Sequence, residues 1–162
     1  MTTNPTQPDT TPPDAATFEP CYNLALRKSN RLITQFYEER LAPFGLKAGQ
    51  FSILRAVHLL KTTTNKMLQQ ILVIDQTTLS RNLKPLTRDE LVIFTTDTTD
   101  QRIKNISLSS KGEALYQEAL PCWEQAQEDL NKQLGKDSTD AILLLSENVV
   151  AALSNSWLFS YF

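Results

Sequence analysis

Four side chains between residues 75 and 88 are spaced to act together. Thr77, Arg81, Lys84 and Arg88 follow one another at intervals of four, three and four residues, so on a helix they form one stripe of hydroxyl and long cationic groups. Leu79, Leu83 and Leu86 fall about 160° away and make an opposed apolar stripe. A helix seated by leucines that holds such donors outward meets the needs of DNA major-groove reading, because these groups reach both phosphates and base edges. Thr77, Thr78 and Arg81 are the expected base-edge residues, Lys84 and Arg88 the expected phosphate contacts, and Ser80 suits either role. Taken alone, the stretch also fits an ordinary amphipathic surface helix, so its neighbours have to decide.

Upstream, Met67, Leu68, Ile71 and Leu72 have the spacing of a short helix with one apolar edge, stopping near Val73. Asp75 then fits an N-cap, and Ile74 with Leu79 occupies the two positions of a hydrophobic staple. Two short helices joined so tightly form a helix-turn-helix, in which the second enters the groove and the first braces it. Pro85 removes one hydrogen bond and should bend the second helix near Arg81 without ending it. Downstream, residues 91–96 and 102–108 are rich in β-branched and aromatic side chains, and the polar linker 97–101 between them predicts a hairpin. Its tip carries Arg102 and Lys104. The guanidinium of Arg102 suits a narrow, strongly negative minor groove, and Lys104 suits a phosphate. The bland alternative is a solvated turn with a surface Asp100–Arg102 pair, worth little. A hairpin beside a groove-reading helix is the wing of a winged helix-turn-helix.

With these segments in view, the chain resembles the MarR family of bacterial transcriptional regulators over about residues 21–155. The resemblance is carried by Thr77-Thr78-Leu79-Ser80-Arg81, by residues 86–92 leading into the wing, by the acidic-plus-arginine wing from Asp97 to Arg102, and by Leu108-Ser109-Ser110-Lys111-Gly112, which is similar to a Leu-Thr-x-x-Gly signature with Ser109 for the threonine. It implies that Arg102 contacts the minor groove, that Asp100 orients it, and that the helix from Gln76 reads the major groove. It also implies a helical dimerisation layer and a cleft for a small phenolic or other aromatic effector. Tyr37, Arg55, His58 and Trp123 are the polar-aromatic side chains on the helices expected to line that cleft, although aromatic residues at helical spacing also serve simply as core. Where the family commonly has glycine before Leu-Val, this chain has Glu90, so a differently built turn is expected there.

The first twenty residues hold five prolines and six threonines, the composition of a flexible tail. A first helix is expected over 21–41, with Pro20 in its first turn and Tyr22, Leu26, Ile33, Phe36 and Tyr37 on one face. A second is expected over 47–60, with Phe51, Leu54, Val57 and His58 at core spacing. After the wing, a long helix over 110–134 is capped by Ser109, as the resemblance favours, or by Ser110, which forms a capping box with Glu113. A last helix is expected over 138–153, and the aromatic segment 156–162 is expected to pack on its own subunit or a partner. The expected architecture is mainly α: a winged helix-turn-helix lobe over about 47–108 and a dimerisation layer from the helices at 21–41, 110–134 and 138–153, all in one domain over 21–155.

The net charge of −2 and pI near 5.4 argue against a strong non-specific DNA binder, and from Gln76 to Lys104 five cations face four acids. A homodimer on a pseudo-palindromic double-stranded operator would double a modest set of phosphate contacts. The sequence shows neither a signal-peptide core nor a membrane span, which points to the cytoplasm. Two distant cysteines and one histidine predict no metal site, and no cofactor is expected. Cys21, read in the first turn of a helix, offers a redox alternative; by resemblance, the sensing cysteine of peroxide-responsive members would fall at Asn23. An enzyme using Cys21 or Cys122 with His58 as base lacks an orienting group, so no catalytic residue is assigned. A helical dimer that never touches DNA is the remaining alternative. The resemblance further implies a ligand-responsive regulator that represses by blocking polymerase.

Overall fold

The computed structural model describes residues 21–157, with side chains described to residue 154. The expected tail at 1–20, including Pro20, and most of the aromatic segment 156–162 lie outside the described residues. The chain divides into two units, Met1–Ile33 and Thr34–Phe162, the division falling within helix α1, Tyr22–Leu41. In the first unit the described residues are helical from Tyr22 onward. Cys21 precedes the helix and its carbonyl accepts from the Ala25 N–H at 3.0 Å, so it is the N-cap and not, as expected, a residue of the first turn. The side chains there stand in solvent, Tyr22 86% and Leu32 67% exposed.

In the second unit, α1 ends at the buried Leu41, and a 3-10 turn, Ala42–Phe44, closes on Gly45 at φ 67°. Helix α2, Ala48–Leu60, starts where the Gln50 side chain accepts from the Lys47 N–H at 2.8 Å. It buries Phe51, Leu54 and Val57 as its spacing predicts. A two-residue strand β1, Thr63–Thr64, follows, which the sequence did not foreshadow. Helix α3, Asn65–Leu72, begins two residues earlier than its apolar pattern, because Thr64 caps it by accepting from the Met67 N–H at 3.2 Å. It stops at Val73, which turns the chain at φ 51°. Helix α4, Gln76–Arg88, contains Pro85 without being interrupted, and its Leu79, Leu83 and Leu86 are buried.

Strands β2, Val92–Thr96, and β3, Lys104–Leu108, form the hairpin, with Val92 opposite Leu108 and Thr96 opposite Lys104. The second strand starts two residues later than expected, leaving Arg102 in the turn. Pairing of Thr63 with Ile106 adds β1 to the far side, giving the antiparallel order β1-β3-β2. Helix α5, Ser110–Leu134, is capped by Ser109, whose hydroxyl accepts from the Gly112 N–H at 2.9 Å, and the alternative cap at Ser110 drops out. Tyr116 and Ala119 join α5 to the core of Phe51, Leu54, Leu68, Leu79, Leu86 and Ile106. Helix α6, Lys136–Trp157, is longer at both ends than the expected 138–153. None of these helices is long and apolar enough to cross a membrane.

Two backbone positions decide how α4, the hairpin and α5 meet. Glu90 stands at φ 56°, a left-handed conformation that glycine adopts most readily, so the turn the sequence marked as unusual is formed by a side-chain-bearing residue under local strain. A Cβ on Gly112 would lie 1.9 Å from the Leu91 carbonyl oxygen, a main-chain atom with no means of swinging aside. Replacing Gly112 by Ala is therefore expected to cost about 3 kcal/mol or to prevent folding. Glu90→Gly should raise stability by up to about 1 kcal/mol, the relieved left-handed strain exceeding the entropy lost. Urea denaturation of both variants checks the opposite signs.

Candidate nucleic-acid interface

Helix α4 is aimed by its cap and its leucines. The Asp75 carboxylate accepts from the Thr78 N–H at 2.7 Å and from the Thr78 hydroxyl at 3.0 Å, and these bonds hold its pKa below the ordinary carboxylate value. The half-buried Thr78 is thus engaged at the cap, whereas Thr77, Arg81, Lys84 and Arg88 are exposed opposite the buried leucines and Ser80 is exposed on the flank. Ser80 accepts from the Gln76 side chain at 3.1 Å. Arg88 is paired with its neighbour: its Nε and Nη2 donate to the Asp89 carboxylate at 2.8 and 3.0 Å, which lowers the Asp89 pKa. A phosphate at Arg88 would have to displace that carboxylate.

The wing tip is organised by Asp97, which the sequence reading passed over. Its carboxylate accepts from the Thr99 N–H at 2.8 Å, the Thr99 hydroxyl at 2.5 Å, the Asp100 N–H at 3.2 Å and the Asn105 amide at 3.1 Å. The Asp97 N–H donates to the Ile103 carbonyl at 3.0 Å, closing the loop. The Asx-turn signature of Asp97-Thr98-Thr99 was the signal available for it. Asp100 acts on Arg102 through the main chain, accepting from its N–H at 2.9 Å. Among the described residues no ion pair joins their charged groups. The Arg102 side chain is exposed, and Lys104 donates to the Thr96 hydroxyl at 2.7 Å across the hairpin.

Three of the four residues named for an effector cleft meet at the packing of α2 on α5. The Arg55 guanidinium lies 4.8 Å from the centre of the Trp123 ring, Phe51 stacks on Trp123 and Tyr116, and His58 stacks on Tyr116 at 4.5 Å. His58 Nδ1 is 2.8 Å from a Glu113 carboxylate oxygen, and that contact is the first cause of the lowered Glu113 pKa. The fourth, Tyr37, donates to the Gln127 side chain, and burial pushes its phenol above the ordinary value. One open cavity of about 560 Å³ lies elsewhere, lined by Gln70, Ile71, Leu72 and Val73 at the end of α3 and by Ser146, Glu147, Val150 and Ala151 of α6. None of the four named side chains lines it. Cys21 and Cys122 are exposed thiols without a disulfide, and no cluster able to hold a metal occurs among the described residues.

A helix pair with a capped, leucine-seated second helix, followed by a hairpin and a long helix, defines a winged helix-turn-helix protein. The MarR family model matches residues 46–104, from just before α2 to the first residue of β3. A transcriptional regulator of M. tuberculosis, MOSR, solved in complex with DNA, is 32% identical with a TM-score of 0.71, the match covering 83% of this chain and 99% of that one. The chain belongs to the MarR family of transcriptional regulators. E. coli MarR complexed with operator DNA shares the fold at 22% identity and a TM-score of 0.71, covering 79% of this chain and 92% of that one. So does S. aureus MepR in its DNA complex, at 21% identity and 0.71, covering 83% and 100%. Among curated proteins, none matches this chain by sequence.

Because the bonds to Thr99, Asn105 and Asp100 hold the Asp97 pKa far below its usual 3.8, the ionised carboxylate favours the ordered tip. That contribution is complete above about pH 4 and fades as acid drives the pH down toward the depressed folded value. NMR titration should find the Asp97 carboxyl still ionised at pH 3, and Asp97→Asn should speed hydrogen exchange at the Thr99 and Asp100 amides at neutral pH. An Asp97 carboxyl titrating at its usual value would contradict this account.

Proposed function

We propose that this protein is a transcriptional repressor that binds a pseudo-palindromic operator as a homodimer and releases it when a small aromatic effector is bound. The observation that carries the reading is the outward stripe of Thr77, Arg81 and Lys84 on a helix whose leucine side is buried, in a chain 32% identical to a regulator solved with DNA. Thr77 and Arg81 face base edges in this reading, with Thr78 and Ser80 at the edge of the contact. Lys84, Arg88 and Lys104 meet phosphates, and Arg102, its main chain fixed by Asp100, enters the minor groove.

Dimerisation is supported by apolar side chains with no place in the core. On α6, Ile142, Leu143 and Leu145 are 40–65% exposed, as are Leu24 and Leu26 of α1. Faces of this kind are covered in solution, and a two-fold pair would bring two α4 helices to successive major grooves. The cavity between the end of α3 and α6 supports effector control, since a ligand there would contact both the brace of the groove-reading helix and a helix of the dimer layer.

Arg81→Ala and Arg102→Ala should each weaken operator binding by about 1–3 kcal/mol while leaving the oligomeric state unchanged. The measurement is fluorescence anisotropy at fixed salt on a duplex recovered by genomic selection, with ultracentrifugation as the control. Unaltered binding by both variants would sink the groove-and-wing reading and favour the helical dimer that never touches DNA.

A further inference from the structure

The two helices of the helix-turn-helix are joined on an exposed side by a chain of amides. Gln69 Nε2 of α3 donates to Gln76 Oε1 at 2.8 Å, and Gln76 Nε2 donates to Ser80 Oγ at 3.1 Å. The direction of the chain is anchored in the backbone. Gln69 Nε2 also donates to the Asn65 main-chain carbonyl at 3.3 Å, and a carbonyl can only accept. The atom of Gln69 between its two partners is therefore the NH2 group, so the atom of Gln76 that meets it is the oxygen. That leaves the Gln76 NH2 group facing Ser80.

We propose that Gln76 reads an adenine in the major groove and that Gln69 is the residue that positions its amide; the inference rests on the DNA-binding reading above. A side-chain amide has two lone pairs on oxygen and two hydrogens on nitrogen. The relay consumes one of each and leaves one acceptor and one donor on the same planar group. That remaining pair complements the N6 donor and N7 acceptor of adenine. Guanine sets its O6 acceptor against the Gln76 oxygen, cytosine lacks the acceptor, and thymine lacks the donor.

The location agrees with this use. Gln76 is the first residue of α4 and is exposed, and the N-terminal residues of the second helix are the ones that reach base edges in helix-turn-helix proteins. Both ends of the relay are fixed to elements seated in the core, Gln69 by Leu68 beside it and Ser80 by Leu79. The rotamer freedom that a free glutamine gives up on docking is therefore already given up in the unbound protein.

Selection from a randomised duplex pool with the full chain tests the proposal, using wild type, Gln76→Ala, Gln69→Ala and the double variant. Wild type should enrich adenine at one symmetric position in each half-site. Gln76→Ala should lose that preference and keep the rest of the site, Gln69→Ala should weaken it, and the double variant should match Gln76→Ala alone. On the selected duplex, replacing that adenine with 7-deazaadenine, which removes the N7 acceptor, should cost wild type about tenfold in affinity and Gln76→Ala less than about twofold. If Gln76→Ala keeps both the adenine preference and the deaza sensitivity, the inference is overturned while DNA binding stands. If Gln69→Ala weakens every duplex equally and leaves base preference intact, the positioning role is overturned. A wild-type protein that binds no duplex overturns the DNA-binding reading and this one with it.

Discussion

The main chain of a single residue, Leu91, holds α4, the hairpin and the long helix α5 in one arrangement. Its N–H donates to the Leu86 carbonyl at 2.8 Å and so closes the end of α4, while its carbonyl accepts from the Ser109 N–H at 3.0 Å where the hairpin returns. Gly112 packs directly on that carbonyl, closer than any other residue permits. The Ser109 hydroxyl serves both sides of the joint, accepting from Gly112 and donating to the Glu90 carbonyl at 2.7 Å, and Lys111 donates to the Asp89 carbonyl at 2.9 Å. Three elements leave from this point. Because buried main-chain groups have to be paired, a displacement of the start of α5 carries the exit of α4 and the base of the wing with it.

The joint also explains which features were legible in the sequence. Ser109 and Gly112 belong to the signature that carried the resemblance; Gly112 makes a close approach to the Leu91 backbone 21 positions away, which only the resemblance marked, whereas Ser109 is a helix cap, legible because capping is local. The leucine stripe of α4 and the Asp75 cap were legible for the same reason, since their information lies within one or two turns of chain. Strand β1 was not, because two threonines offer no periodicity and acquire meaning only when Ile106 pairs with Thr63 from 43 positions away. Of the two acids at the wing tip, the resemblance singled out Asp100 and gave Asp97 no role. Which one organises the turn depends on N–H directions that composition does not carry, and in place of the surface Asp100–Arg102 pair of the bland alternative there is a main-chain bond.

Side chains on different helices were the hardest to place. Tyr37, Arg55, His58 and Trp123 share the chemistry of an effector pocket, yet Arg55, His58 and Trp123 are occupied by one another or by Phe51, Glu113 and Tyr116, and Tyr37 by Gln127. Stacked aromatic rings in contact with a guanidinium and an imidazole fill space as a core does. The amides of Gln69 and Gln76 pose the converse case. Nothing in their types or spacing marks them, and only the approach of α3 to α4 brings them to 2.8 Å.

Charge sets the terms on which such a surface works. With a net charge of −2, little long-range attraction draws the chain to a polyanion. The cations that are present are partly engaged, Arg88 by Asp89 and Lys104 by Thr96. Exposed pairs of this kind are worth only about 0–1 kcal/mol, so a phosphate can exchange into them, but the gain from each exchange is correspondingly small. Few phosphate contacts mean weak binding to arbitrary DNA and a shallow salt dependence. Discrimination then falls to neutral groups that gain nothing from the wrong base and lose a hydrogen bond when they meet it. In the proposed complex, an α4 that presents hydroxyls and an amide held at a fixed angle, with cations at its far end, would give a high ratio of specific to non-specific binding and not high affinity to all duplexes.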